Sequence, residues 1–186
     1  SPKSFSIFVT SAIIIILKKS STIVCEISKI LILFSAKYVQ TLAIIPIEEE
    51  LSRVVEEKKE YIVRASVIKI IDDSCKFFGS SYEGRFEGTK TIMGVSHKSP
   101  IIIEETTKMI FFPTTSPRLS TCSWIALNNI KDYYRSEDNT VIIFNCGKKI
   151  KLHLSYPIID NQVLRATRLE ALLNKRIKEI EKNANF

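Results

Sequence analysis

The sequence predicts an α+β fold: mainly antiparallel β-strands, with a short helix before a glycine-rich loop and an amphipathic helix towards the C-terminal end. Three observations carry this expectation. Short β-rich runs are separated by prolines and polar turns. One stretch before Gly79 has its apolar residues at helical spacing, and the final segment repeats its own with the same period.

Taken in order, Thr41-Leu-Ala-Ile-Ile-Pro46 opens the ordered pattern as a strand, and its proline places it at an edge or an end because proline has no N–H for the ladder. The cluster Glu48, Glu49, Glu50, Glu56, Glu57 and Glu60, mixed with Arg53, Lys58 and Lys59, reads as a solvated turn and a polar strand or helix face, not as paired catalytic carboxylates. Tyr61 to Ala65 reads as a strand. Ser66 then caps a short helix with Val67, Ile70, Ile71, Ser74 and Phe78 on one face, ended by Gly79. The stretch from Gly79 to Gly88 is expected to be a polar loop that approaches phosphate through Arg85 and backbone N–H groups.

Ile101 to Ile103, Met109 to Phe112, Trp124 to Leu127 and Val141 to Phe144 are the next strand-like runs. The last of these pairs with Lys149 to Leu154 across Asn145-Cys-Gly-Lys148 as a hairpin. Alternation of Ile150, Leu152 and Leu154 with Lys149, Lys151 and His153 gives its second arm one buried and one basic face. From about Asn161 to Lys182, Ala166, Leu169, Leu173, Ile177 and Ile180 recur at helical spacing. Arg165, Arg168, Lys175, Lys178 and Lys182 gather roughly opposite them as a cationic stripe. Phe77, Phe78, Tyr82, Phe111, Phe112 and Trp124 are expected in the core or a dimer contact.

At 186 residues, 45% hydrophobic and 25% charged, the chain suits one globular domain and excludes disordered, collagen-like and disulfide-dense classes. A net charge of +7 suggests a polyanionic partner. The excess sits at the ends, +4 in residues 1–40 (five basic, one acidic) and +3 in 161–186 (six basic, three acidic). The four cysteines show no C-x-x-C spacing, and His97 and His153 are the only histidines, so no metal is expected; buried reduced thiols and a cytoplasmic setting are. A phosphate-binding G-x-x-x-x-G-K-[ST] loop starting at Gly79 fails at both chemical positions, which hold Arg85 and Phe86. A hydrolase built on Cys75 or Ser74 with His97 lacks an evident orienting group and oxyanion site. The expectation is therefore no enzyme and no cofactor.

Residues 1–37 form an apolar leader, with runs in 4–17 and 27–34 that both fall short of the about 20 residues of a membrane span. A misassigned start is favoured over a membrane anchor, and a globular domain is expected over 38–186.

The stretch Ile70-Ile-Asp-Asp-Ser-Cys-Lys-Phe-Phe-Gly-Ser-Ser-Tyr-Glu-Gly-Arg85, with Ile92-Met-Gly-Val-Ser-His-Lys-Ser-Pro-Ile101 and Ile110-Phe-Phe-Pro-Thr-Thr-Ser-Pro-Arg118, resembles the bacterial competence transcription factor family, ComK. Cys122-Ser-Trp124-Ile, the hairpin, Leu154-Ser-Tyr156 and Asn161-Gln-Val163 extend the likeness from about Thr41 to Ile180. The resemblance implies a nucleoid-associated activator of DNA-uptake genes that binds A/T-rich double-stranded promoter DNA mainly through the minor groove, self-associates and assists RNA polymerase. Minor-groove readout of A/T tracts uses cationic side chains and DNA shape, so within the matching motifs Lys76, Arg85, Lys98 and Arg118 are the expected DNA contacts, with Arg165 on the final helix as a fifth. The family's C-terminal tail, tied to an adaptor and a chaperone-linked protease, has no counterpart after Phe186, nor has the leader a counterpart in the family. The alternative is a membrane-tethered or protein-interaction module without DNA binding.

Overall fold

A computed structural model of the chain describes residues 22–25 and 41–184. In chain order the elements are β1 (Thr22–Cys25), β2 (Thr41–Glu48), β3 (Leu51–Glu56), β4 (Glu60–Val63), α1 (Val67–Phe77), α2 (Tyr82–Met93), β5 (Ile101–Glu104), β6 (Met109–Pro113) and β7 (Trp124–Ala126). A single 3-10 turn (Leu127–Asn129) follows, then β8 (Ile130–Ser136), β9 (Asn139–Phe144), β10 (Lys149–Leu152) and α3 (Tyr156–Ala184). The class is α+β, as the residue pattern predicts.

Seven strands form one sheet in the order β1-β4-β3-β2-β7-β6-β5, and three form a second in the order β10-β9-β8. All neighbours are antiparallel except β1 and β4, which run parallel from Thr22↔Glu60 to Cys25↔Val63. Thr22–Cys25 is the one piece of the expected leader among the described residues; both of its apolar runs lie outside them.

The large sheet is covered on both faces. On one, α1 and α2 pack Val67, Ile70, Ile71, Cys75, Tyr82 and Phe86 against Ile44, Val54, Phe111 and Trp124. On the other, α3 and the small sheet bring Ile159, Ala166, Leu169, Ile142 and Phe144 onto Leu42, Val55, Phe112 and Ile125. Neighbouring strand residues point to opposite faces, so Phe111 and Phe112, or Trp124 and Ile125, enter different layers. This double covering makes β6 and β7 apolar without a break, and all of their residues are buried.

Several elements differ from the sequence reading. The expected loop between Gly79 and Gly88 is largely helix α2, which carries Gly84 and Gly88 in its interior. Ser81 caps it by accepting from Gly84 N at 3.0 Å, and Gly94 ends it in the left-handed region at φ 69°. Tyr82, Phe86 and Met93 supply a packed stripe, with the Tyr82 ring edge-on to Trp124 at 5.9 Å. A good cap and an aromatic anchor thus outweigh two weak helix formers. Helix α3 starts five residues earlier than expected, at Tyr156, because Pro157 in its first turn needs no N–H partner.

Strand β8 went unpredicted since most of its residues are charged or polar; it is an edge, and chiefly Ile130 and Tyr133 face the core. Ser66 precedes α1 without a side-chain cap bond. Cys75 and Cys122 are buried, but Cys146 is exposed in the β9–β10 turn, and Phe77 is 46% exposed. Among the described residues no helix is long and apolar enough to cross a membrane.

Gly88 is exposed, and a Cβ there would meet nothing within 4 Å. Gly88→Ala should therefore stabilise the fold by about 0.5–1 kcal/mol through lower unfolded-chain entropy. A urea titration reads this as a higher midpoint at unchanged slope. A lowered midpoint would contradict the helical assignment of this stretch.

A candidate nucleic-acid interface

The structure divides the five expected contact residues into two groups. Lys76 and Arg85 are held by acids. Lys76 sits in the last turn of α1, where its Nζ lies 2.6 Å from Asp72 Oδ2. Asp72 also accepts Tyr82 N at 3.0 Å, joining α1 to the first turn of α2, and these two bonds hold its carboxyl below the ordinary range. Arg85 points inward from α2 with its side chain 15% exposed, and Nη1 donates to Glu105 Oε1 at 2.5 Å. That acid comes from the β5–β6 turn, not from the neighbouring Glu83 or Glu87. Arg85 Nε is buried without a partner. Arg85 thus ties α2 to the β5–β6 hairpin, and the N–H groups around it, expected in a loop, belong to a helix.

The other three are carried on α3 and on segments that α3 bonds: Lys98 on the 94–100 turn, Arg118 on the loop after Pro113, and Arg165 on α3 itself. Lys98 lies in the 94–100 turn with φ 49° and is exposed. Arg118 stands on the loop between β6 and β7. That loop is closed at its base by Thr114 N donating to Ser123 O at 2.8 Å and Ser123 N donating to Thr114 Oγ1 at 3.0 Å. Within it, Leu119 N donates to Ser116 O at 2.9 Å and Cys122 N to Leu119 O at 3.0 Å, fixing the turn that exposes Arg118. The two segments are joined from α3. Gln162, 3% exposed, donates through Nε2 to Lys98 O at 3.2 Å and also to Pro113 O, immediately before the loop. One turn further along α3, Arg165 Nη1 donates to His97 O at 2.9 Å.

Burial pushes the Cys122 thiol up while the nearby Lys98 charge pulls it down, and burial raises the Tyr82 phenol against the pull of Arg118. Among the described residues none of the three cations is ion-paired with a carboxylate. Burial drives the Cys75 thiol up to about 11, with Arg85 opposing. Beyond the loop lies an open cleft of about 620 Å³ whose lining includes Thr114, Thr115, Ser123, Arg53, Lys151 and His153. His153 is exposed and bonded to Asn139 at 3.0 Å through its ring. No group of acidic, histidine or cysteine side chains suited to a metal occurs among the described residues.

Sequence reasoning missed Gln162. Its signal was present: a long amide among the apolar positions Ile159, Ala166 and Leu169, where a polar side chain must find buried partners.

Comparison with known proteins fits this frame. The ComK protein family model matches residues 36–178. The chain belongs to the ComK family. It is also similar to the Competence transcription factor of Bacillus subtilis (strain 168), 36% identical over 141 residues that cover 74% of this chain and 73% of that protein. No solved structure matches. The ComK match spans every element named above from β2 to most of α3, so Gln162 and the two segments it joins all lie within it.

For the acid-held pair, Arg85→Ala should cost roughly 1–2 kcal/mol, because it removes a largely buried side chain and its charged bond. Lys76→Ala should leave the denaturation midpoint close to that of the parent chain, as expected of an exposed ion pair. Chemical denaturation of both variants measures the difference; equal, small effects would mean that Arg85 is not a structural tie.

Proposed function

We propose that this ComK-family chain is a DNA-binding transcriptional activator of competence genes, and that it recognises A/T-rich promoter elements largely through the minor groove. The observation that supports the reading is that α3 bonds both the 94–100 turn carrying Lys98 and Pro113 at the base of the loop carrying Arg118, while Arg165 on α3 bonds His97 O, with no ion pair to an acid at any of the three among the described residues. The name of the B. subtilis relative supports the transcriptional role. A narrow A-tract groove has enhanced negative potential, which favours a guanidinium held on a short, closed loop such as that of Arg118. Lys98 and Arg165 then neutralise phosphates, which positions the protein without reading sequence. No catalytic step and no cofactor are needed. The chain works in the cytoplasm on the nucleoid as a homo-oligomer and assists RNA polymerase.

Of the five residues expected from sequence, Lys98, Arg118 and Arg165 remain in the proposed contact; Lys76 and Arg85 serve the fold. The test uses duplexes carrying two A/T tracts whose spacing is varied by half a helical turn. Affinity should depend on tract sequence and on phasing and fall steeply with salt. Arg118→Ala should weaken binding about tenfold or more and relax the A/T preference. Lys98→Ala should weaken binding to all duplexes alike and lower the salt slope by about 1. Indifference to tract and phasing, or full affinity in both variants, would overturn the proposal.

A further inference from the structure

The large sheet splits beside the Arg118 loop. Strand β7 pairs with β2 only at Ala43↔Ile125 and Ile44↔Trp124, and Ser123 just before β7 bonds Thr114 instead. The outer half of β2 therefore parts from the loop, and the open cleft of about 620 Å³ lies in the gap, with the end of β10 as a further wall. That volume falls within the about 300–1,000 Å³ of ligand sites.

The lining sorts into three chemistries. Ile45 and Ile47 of β2 and Leu152 and Leu154 at the end of β10 supply apolar walls from two different sheets. Arg53, Lys151 and His153 supply positive charge and donors. Among the described residues Lys151 has no ion pair, and the carboxylate near Arg53, that of Glu60, is 3.8 Å away. His153 is bonded to Asn139 through Nδ1, which leaves its Nε2 facing solvent chemistry. Hydroxyls add to these donors: Thr114 Oγ1 accepts from Ser123 N and keeps its own proton to give, and Thr115 Oγ1 is buried with no partner among the described residues. Glu48 and Glu49, both exposed, contribute acceptors from the β2 side.

This set narrows the choice of occupant. Apolar walls from two sides suit a flat ring, convergent donors suit phosphate, and carboxylates accept from sugar hydroxyls or an exocyclic amino group. A bare phosphate leaves the apolar walls unused and meets the two carboxylates. A duplex is no better, because its bases are stacked inside and its outer phosphates would face Glu48 and Glu49.

We propose that the cleft binds a free nucleoside phosphate, its ring between the β2 and β10 walls and its phosphates on Arg53, Lys151 and His153. Thr114 and Ser123, whose bonds close the Arg118 loop, belong to the same lining. An occupant thus places negative charge beside that loop and weakens duplex binding, and by linkage duplex weakens nucleotide binding by the same factor. The site stands on the cleft alone, whereas this consequence rests on the proposed DNA reading.

Isothermal titration calorimetry of the full chain with ATP, GTP, CTP and inorganic phosphate, without duplex, tests the site. At least one nucleotide should bind with a dissociation constant below about 1 mM, and phosphate at least tenfold more weakly. Arg53→Ala and Lys151→Ala should each weaken nucleotide binding about tenfold or more with the thermal midpoint kept, as loss of a charged hydrogen bond predicts. Arg176→Ala, at an exposed cation outside the cleft lining, should not. Because Lys151 is exposed on an edge strand, its variant decides the matter if Arg53→Ala unfolds. Failure of all three nucleotides to bind, phosphate binding as tightly as they do, or an equal effect at Arg176 would each overturn the proposal. So would a Lys151→Ala chain that loses affinity for duplex but not for nucleotide, which would assign the cleft to DNA. Adding saturating nucleotide to the A/T-tract duplex complex should weaken it at least threefold at matched ionic strength, and Lys151→Ala should blunt that response. Nucleotide binding in a chain that holds no duplex supports the site while removing the DNA reading; duplex binding without nucleotide binding does the reverse.

Discussion

The arrangement of cations in this protein depends on one buried amide. Gln162 sits among apolar neighbours on α3 and directs its Nε2 to two backbone carbonyls, Lys98 O and Pro113 O, from the turn that leads into β5 and the end of its neighbour β6. A buried carbonyl left without a donor costs about 1–3 kcal/mol, so the three segments are bound to a common geometry as long as the helix packs. Arg165, one turn along, adds a charge-assisted bond to His97 O and keeps the 94–100 turn against the helix. Hydrogen bonding here does not build the core; it sets where exposed charge is displayed.

The core itself follows from a sheet covered on both sides. Helices α1 and α2 take one face, and α3 with the small sheet takes the other. Alternation then sends successive strand residues into two different apolar layers, which is why β6 and β7 have no polar face at all. The closed β6–β7 loop is anchored at Trp124 and Pro113, so the rigidity of the double-covered strands passes directly to the turn that carries Arg118.

Much of this was legible in the residues. The strands β2 and β4 to β7, the hairpin of β9 and β10, and α3 announce themselves by β-branched runs, turn residues and helical spacing; β3 does not, because its charges read as a polar face although Ser52, Val54 and Val55 are buried. Helix α2 did not, because Gly84 and Gly88 argue for a loop; what decides it is Ser81 at one end, Gly94 at the other and Tyr82 against Trp124, a contact between residues far apart in sequence. Strand β8 was hidden by its charges. For the site, the family motifs pointed at five cations, and only packing separates them. Arg85 is closed off by Glu105, twenty residues away, in a pairing that no local pattern encodes. The distal turns of α3 mislead in the opposite sense, since periodicity reports an apolar stripe and is silent on whether the body extends far enough to cover it.

The proposed nucleic-acid surface uses the cations on α3 and on the segments it bonds, and not those paired to acids on α1 and α2. Lysine acetylation of the chain read by mass spectrometry, with and without an A/T-tract duplex, tests it on two exposed lysines of the same molecule. Lys98 should lose reactivity on adding the duplex while Lys76 keeps its own. Protection of Lys76 with Lys98 unchanged would contradict the account.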